Sequence, residues 1–419
     1  MLFILIYIVL VIVRPQEYPG VVELELPLLS VALVVALIAW GISGRKKFAE
    51  PQYPLLFAFL GVVMFSQVVN GWAGGAIHQF WQFGPAVAAF VRLASAVTTE
   101  RRMVVAMATF VLSACVLAIH GVEQVQLGIG WTGMPLVQED GRIQYVGIFS
   151  DPNDLGLLFV AVLPMAFYLS SRGGLVGLAR LFWLATAALL LYGIYLTNSR
   201  GALLAVAAVV AVWLWLRRGI VTALVVGGVG LVGMTLLPSR LQELDASESS
   251  AAGRVDAWYE GMQMFLSQPL FGVGAGNFTE HNYLTAHNSF VLVLAETGFI
   301  GFTIWLAFVG YCFRMMLTLY RHQPPLPDRA AEQAWASERR IAATLFLVLC
   351  GFFAAAFFLS RSYVIILYLV AALVVGEYSG ARERFPSLPE FNLGREAGRW
   401  LMIAIGSIVL LYLIIRILL

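Results

Sequence analysis

The chain has 419 residues, of which 60% are hydrophobic and only 12% are charged, and its formal net charge is +2. A soluble domain carries about 25% charged residues, so this composition, with a mean hydropathy of +0.85, excludes a soluble globular protein. We expect a polytopic membrane protein that is surrounded by membrane lipids and binds no nucleic acid. Cys115, Cys312 and Cys350 lie in separate apolar runs and predict neither a metal site nor a disulfide framework.

Apolar runs follow one another along almost the whole chain. A membrane-spanning helix needs about 20 apolar residues, and we predict an all-α fold, a polytopic membrane helix bundle of about 12–13 transmembrane helices that forms one integral membrane domain over residues 1–419. The first run lacks a basic flank and a cleavage site, so it is predicted to be a retained helix. The predicted spans are 1–13, 26–42, 53–70, 79–97, 103–120, 154–171, 181–197, 201–216, 219–237, 288–311, 341–359, 362–378 and 400–418.

Basic residues are concentrated in every second loop. Cytoplasmic loops carry an excess of Lys and Arg, and a cytoplasmic N-terminus places 18 of the 26 basic residues, Arg45, Lys46 and Lys47 among them, in such loops. Arg92 and Arg416 lie near span ends, and the six that remain outside are Arg14, Arg142, Arg200, Arg240, Arg254 and Arg361. Arg14 and Arg240 flank span ends and are predicted to be interfacial anchors. The others break the bias, and ionisable groups at membrane depth often mark substrate pathways.

The longest polar stretch runs from Ser247 to Gly301. Residues 238–287, which include the first part of this stretch, are predicted to form a periplasmic loop that contains short helices and carries part of an active site. It includes the glycine-rich GVGAG at 272–276, which suits a tight turn or an approach to phosphate, with a plain loop as the alternative. The absence of a GK[ST] ending excludes a nucleotide P-loop.

Three outer arginines point to an anionic ligand. Arginine is permanently charged, and its planar fork of donors fits phosphate oxygens in pairs, so Arg200, Arg254 and Arg361 suit the diphosphate of a lipid carrier. The alternative is that each arginine pairs with a neighbouring carboxylate. The candidate carboxylates are Glu243, Asp256 and Glu260.

His287 precedes an apolar run, together with Asn288 and Ser289. A helix N-terminus disfavours the imidazolium, and a neutral imidazole can remove a proton from a sugar hydroxyl. The alternative is that His287 only caps the helix. Glu296 is predicted to face another helix of the bundle.

Two other groups of polar residues are weaker candidates. Asp151, Asn153 and Asp154 lie at the end of the second polar stretch, 121–153, and suit an acceptor sugar, although Asn153 or Asp154 also suits a helix cap. A third function class, a metal-dependent transferase, would use Glu23 and Glu25, but this pair lacks histidine and further acidic support, so no metal site is predicted.

Three motifs within 147–301 resemble the bacterial O-antigen ligase and O-antigen polymerase superfamily. They are HNSFVLVLAETGFIG with His287, Asn288, Gly298 and Gly301; RGALL with Arg200 and Leu204; and GRVDAWYEGMQMFLSQPLFGVGAGNF, in which Arg254 and a Trp precede a Pro-Leu-x-Gly-x-Gly turn. The resemblance implies a glycosyltransferase of the bacterial inner membrane with a periplasmic active site, independent of metal and cofactor.

The same resemblance implies the substrates and the roles of the residues. The donor is a glycan on undecaprenyl diphosphate, and the acceptor is a sugar hydroxyl of the lipid A core or, in polymerases, another carrier-linked repeat unit. Arg200 and Arg254 would bind the diphosphate and His287 would be the catalytic base, while Arg361 is added on topology alone. Asp151, Asn153 and Asn288 remain acceptor or loop contacts. The outer loop of about 50 residues departs from the family pattern and leaves little room for an acceptor-binding domain.

Several functions remain open on the sequence. A ligase is favoured over a polymerase because both short motifs fit the ligase pattern, and a protein-glycosylating ligase is a third form. A transporter or flippase of lipid-linked sugars would predict inverted repeats and interrupted helices near the membrane midplane, and the sequence shows neither.

Overall fold

The computed structural model describes residues 1–42, 48–137, 141–172, 174, 177–235 and 244–419, with side chains described outside 229–252. Arg45, Lys46, Lys47, Arg240 and Glu243 lie outside the described residues. Within these ranges the chain is all-helical, without a β-strand. The helices are α1 (Leu2–Ile12), α2 (Leu28–Ile42), α3 (Gln52–Val69), α4 (Ala73–Ala94), α5 (Glu100–Leu127), α6 (Pro152–Ser170), α7 (Leu178–Leu196), α8 (Arg200–Arg218), α9 (Ile220–Thr235), α10 (Leu244–Ser267), α11 (Phe278–His281), α12 (Ser289–Arg321), α13 (Arg329–Ala356), α14 (Ile365–Arg384) and α15 (Leu393–Leu418).

The helices confirm the predicted polytopic bundle. Each of the 13 predicted apolar runs overlaps a helix, α1 to α9 and α12 to α15. Among the described residues, nine of these helices are long and apolar enough to cross a membrane; α1, α2, α4 and α9 are shorter or less apolar. The buried core is dominated by α6, α13 and α14, which present few polar groups to their neighbours.

Polar contacts between loops gather at two ends of the bundle. At the end that carries most arginines, which we call the basic end, the pairs are Arg172–Glu100, Arg382–Glu50, Arg384–Glu338 and His322–Ser387. At the opposite end, which we call the site end, they are Tyr18–Tyr145, Asn153–Ser199 and Arg361–Asp154. In each pair, the two residues belong to loops that the predicted alternation of spans places on the same side of the membrane. The contacts therefore agree with that alternation.

The segment predicted to be a loop with short helices is more regular than expected. Within its described part, α10 is 24 residues long and packs against α12, whereas α11 is a single turn of four residues. Buried Ala257, Trp258, Met262 and Met264 give α10 an apolar face, and this face allows a helix to form where polar composition alone predicted a loop.

Helix α12 is interrupted at Gly298, where φ is 62° and ψ is −163°. The interruption exposes backbone groups, and the segment that follows α10 satisfies them. Its hydrogen bonds are Val273 N to Ala295 O (3.0 Å), Gly274 N to Glu296 O (3.0 Å), Phe299 N to Pro269 O (2.8 Å) and Ile300 N to Leu270 O (3.2 Å). The expectation that the chain has no interrupted helix is therefore wrong.

The glycine-rich turn at 272–276 serves this interruption, so the plain-loop alternative describes it better than an approach to phosphate. Two side chains hold this turn in place on its other side. Gln79 of α4 donates to Ala275 O (2.7 Å), and Asn70, which directly follows α3, donates to Gly272 O (2.9 Å). Glu296 accepts from Phe278 N (3.2 Å). Glu296 thus faces the start of the short helix α11, beside the point where α12 breaks two residues later.

Candidate active site

The predicted arginines and His287 all lie at the site end. Arg200 is the first residue of α8, Arg254 lies on α10, and Arg361 lies in the turn between α13 and α14. Arg254 is close enough to Arg200 and to Asp151 for both charges to affect its pKa, which burial lowers most, Arg200 lowers further and Asp151 raises. Four segments that are distant in sequence therefore build one charged site.

Arg254 lines a small open cavity at this site. The cavity has a volume of about 250 Å³ and lies between the start of α8 and the end of α13. Its lining is Asn153, Ser199, Gly201, Ala202, Arg254, Ala355, Phe358 and Leu359. Asp256 and Glu260, the predicted alternative partners of Arg254, are exposed on α10, and no described carboxylate forms an ion pair with Arg254. Its guanidinium is thus a half-buried cation at a cavity that both polar and apolar residues line.

His287 adopts a left-handed backbone conformation with φ of 46°. Such a conformation costs a non-glycine residue of the order of 1 kcal/mol or more and recurs at functional sites. The helix cap is Asn288, whose Oδ1 accepts from Phe290 N (2.9 Å) and Val291 N (3.1 Å). His287 is therefore not the cap, and its half-buried ring has no hydrogen-bond partner among the described residues.

The surroundings of His287 favour the neutral imidazole. Burial lowers the pKa of His287 most, and the positive charges of Arg254 and Arg361 lower it further, while Asp151 opposes them. The ring is consequently unprotonated at neutral pH and has a free nitrogen lone pair. That is the state in which histidine accepts a proton.

Arg361 has a carboxylate partner, but not one of those predicted. Its Nε and Nη2 both donate to Asp154, whose side chain is only 6% exposed. The turn that carries Arg361 is also bound to the start of α12: Arg361 N donates to Ser289 Oγ (2.9 Å), and Ser362 Oγ donates to Ser289 O (2.7 Å). These bonds place Arg361 against the helix that follows His287.

Residues 185–306 match the O-antigen ligase family. The match over these residues supports the O-antigen ligase and polymerase superfamily. This family match contains Arg200, Arg254 and His287, and it implies a multi-pass membrane enzyme of the glycosyltransferase type that acts on lipid-linked glycans and glycan acceptors. Residues 1–174 match a family of unknown function (DUF5935). No curated protein matches the chain.

Part of the site comes from outside the ligase-family match. Arg142, which the sequence placed outside without giving it a role, donates from Nη2 to Asn153 Oδ1 (2.9 Å) and from Nε to Thr197 O (2.8 Å). Burial lowers its pKa most, Arg254 lowers it further and Asp151 raises it. The one sequence signal for Arg142 was that it broke the charge bias just before Asp151.

The candidate acceptor contacts are largely engaged within the protein. Asp151, and not Asn153 or Asp154 as predicted, caps α6: its Oδ1 accepts from Asn153 N (2.6 Å) and Asn153 Nδ2 (2.9 Å). Asn288 is fully buried, and its Nδ2 has no partner among the described residues. Asn288 therefore retains two amide hydrogens and Asn153 one.

The metal alternative gains no support from the described residues. Glu23 and Glu25 are both exposed, and no group of three or more His, Cys, Asp or Glu side chains in the described part of the chain could hold a metal ion.

Proposed function

We propose that the protein is an O-antigen ligase-type glycosyltransferase that transfers a glycan from undecaprenyl diphosphate to a sugar hydroxyl of the lipid A core. The reaction would take place at the site end, on the periplasmic face of the inner membrane, without a metal or cofactor. The observation that carries this proposal is the grouping of Arg200, Arg254, Arg361 and a neutral His287 at the site end, where Arg254 lines the cavity.

The arginines suit a diphosphate leaving group. When the bond between the anomeric carbon and the phosphate oxygen breaks, both bonding electrons stay on the diphosphate, whose negative charge then needs stabilisation rather than a proton. Guanidinium groups held in place beforehand provide this stabilisation without reorganisation. Arg254 is the strongest candidate because it lines the cavity without a carboxylate partner among the described residues.

Arg361 would contribute differently. Its ion pair with Asp154 leaves little net charge, so the pair offers directed N–H donors more than attraction at a distance. Removing either partner alone would leave the other charge half-buried and unpaired, which is strongly destabilising. Arg361 is therefore proposed to shape the diphosphate site and to hold the turn beside His287.

His287 would act as the general base. It removes the proton of the acceptor hydroxyl as the hydroxyl oxygen bonds to the anomeric carbon and the diphosphate leaves from the opposite face. One displacement of this kind inverts the anomeric centre. The resulting imidazolium has a lowered pKa and releases its proton to water readily, which restores the base. Asp151 is the proposed acceptor contact, because Asn288 is fully buried and Asn153 is engaged with Arg142, Asp151 and Ser199.

The test is transfer by the purified protein from an undecaprenyl-diphosphate glycan to a lipid A core acceptor, with EDTA present. Formation of a core-linked glycan with inverted configuration is expected. Loss of transfer in EDTA would contradict a metal-independent reaction. Elongation of carrier-linked repeats instead of transfer to the core would make the protein a polymerase.

The interrupted helix α12 is the feature that favours a transporter of lipid-linked sugars. However, its exposed backbone groups bond to the segment after α10, and in transporters such groups coordinate the substrate. Movement of the lipid-linked glycan across proteoliposomes without any transfer product would establish the transporter and exclude the glycosyltransferase.

A further inference from the structure

Asn153 lies at the centre of a polar chain that connects three segments of the site end. Its Oδ1 accepts two hydrogen bonds, from Arg142 Nη2 (2.9 Å) and from Ser199 Oγ (2.7 Å). Its Nδ2 donates to Asp151, which fixes which way the amide points. Both lone pairs of the amide oxygen are thereby occupied, so this oxygen is a structural junction rather than a contact for an acceptor sugar.

This polar chain of hydrogen bonds ends at the N-terminus of α8. Ser199 is the N-cap of that helix: its Oγ accepts from Ala202 N (3.3 Å) while its hydroxyl hydrogen points to Asn153. Ser199 is only 2% exposed, so water does not replace Asn153 readily. Arg200 is the next residue, and its backbone direction follows from how Ser199 is held.

The turn between α7 and α8 is fixed from two further sides. Arg142 Nε donates to Thr197 O (2.8 Å), which is the last carbonyl before the turn. Helix α6 lies so close that a Cβ on Gly156 would be 2.8 Å from the Cβ of Ala202. The start of α8 thus has little freedom as long as the polar chain is intact.

We propose that Asn153 is a positioning residue of the donor site, which links Arg142 to Ser199 and so holds the start of α8, and with it Arg200, beside the cavity that Arg254 lines. This inference rests on the proposed function, because it takes the ligand of Arg200 and Arg254 to be the diphosphate of the donor. It assigns a purpose to Arg142 and gives Asn153 a role in donor binding rather than acceptor binding.

The first experiment measures hydrogen exchange of the full-length protein and needs no substrate. In Asn153→Ala, the first-turn amides of α8 should exchange at least roughly tenfold faster, the effect expected when a buried donor loses its acceptor. Asn153→Asp keeps an acceptor oxygen for both donors and should leave this exchange close to wild type. The matched control is Asn392→Ala, which removes the asparagine cap of α15 and should affect only α15.

The second experiment measures steady-state transfer from an undecaprenyl-diphosphate glycan. Asn153→Ala and Ser199→Ala should each raise the donor KM roughly tenfold and leave the acceptor KM unchanged, and the double variant should be no worse than either single variant, because the two residues act through one chain.

Unchanged α8 exchange in Asn153→Ala, multiplied effects in the double variant, or an equal rise of both KM values would overturn the inference. If the wild-type protein transfers nothing while α8 exchange responds as expected, the proposed function fails and the positioning of α8 by Asn153 still holds.

Discussion

Replacement of Gly298 by alanine tests whether the interruption of α12 is required by the fold. A Cβ at Gly298 would lie 2.5 Å from the carbonyl carbon and oxygen of Leu270 and 2.6 Å from Phe271 N. These are backbone atoms, which cannot rotate away as the end of a side chain can. The φ of 62° with ψ of −163° also lies in a region that is essentially reserved for glycine and costs about 1–3 kcal/mol elsewhere.

The expected loss follows from these two effects. Relief of the clash must separate the segment after α10 from α12, and this weakens the bonds Phe299 N to Pro269 O and Ile300 N to Leu270 O, each worth about 1 kcal/mol. Together with the backbone strain, the free energy of unfolding should fall by roughly 3–5 kcal/mol.

Thermal and denaturant unfolding of the detergent-solubilised protein would measure this loss, with Gly61→Ala as the matched control. Gly61 lies within α3 and is exposed, and an added Cβ there meets nothing within 4 Å. The control should be neutral or slightly more stable, since alanine favours a helix over glycine by about 0.5–1 kcal/mol. Equal stability of Gly298→Ala and Gly61→Ala would refute the reasoning.

Three further predictions concern the chemistry. His287→Ala should leave the unfolding temperature nearly unchanged but abolish transfer, and wild-type turnover in that variant would remove the base assignment. Arg254→Lys should lower kcat/KM by at least roughly tenfold, because lysine cannot make paired contacts with phosphate oxygens, whereas unchanged turnover would count against a diphosphate clamp. The lowered pKa of His287 should keep kcat/KM constant as pH falls until below the ordinary histidine range. Below that range kcat/KM should decline as the imidazole takes up a proton. In Arg254→Gln this decline should begin at a higher pH.

Apolar length was sufficient to predict the bundle, because each spanning helix must satisfy its own backbone in lipid and therefore leaves a long apolar run in the sequence. It did not predict α10 or the interruption of α12. The polarity of 247–267 resembled a loop, since a helix outside the membrane needs only one apolar face. Gly298 occurs within a predicted span, directly after Glu296 and Thr297, and its conformation depends on residues 269–274, which approach it only in the folded protein.

The site residues could be predicted because each departs from a pattern that is visible in the sequence. Arg200, Arg254 and Arg361 contradicted the charge bias, and His287 stood at a helix start. The partners of these residues were not predicted, because Asp154 meets Arg361 across 207 positions of sequence. Asn153 resembled a helix cap from its position, whereas its role at the junction depends on Ser199 and Arg142, which only packing brings together.

The ion pair between Asp154 and Arg361 also constrains the biosynthesis of the protein. Residue 154 is translated 207 positions before residue 361, which at about 5–20 residues per second amounts to roughly 10–40 s. During that time α6 enters the bilayer with an acidic side chain whose eventual partner does not yet exist, so the carboxyl must remain protonated or hydrated. A ribosome that stops before Arg361 therefore releases a chain with an unmatched carboxyl near the membrane surface.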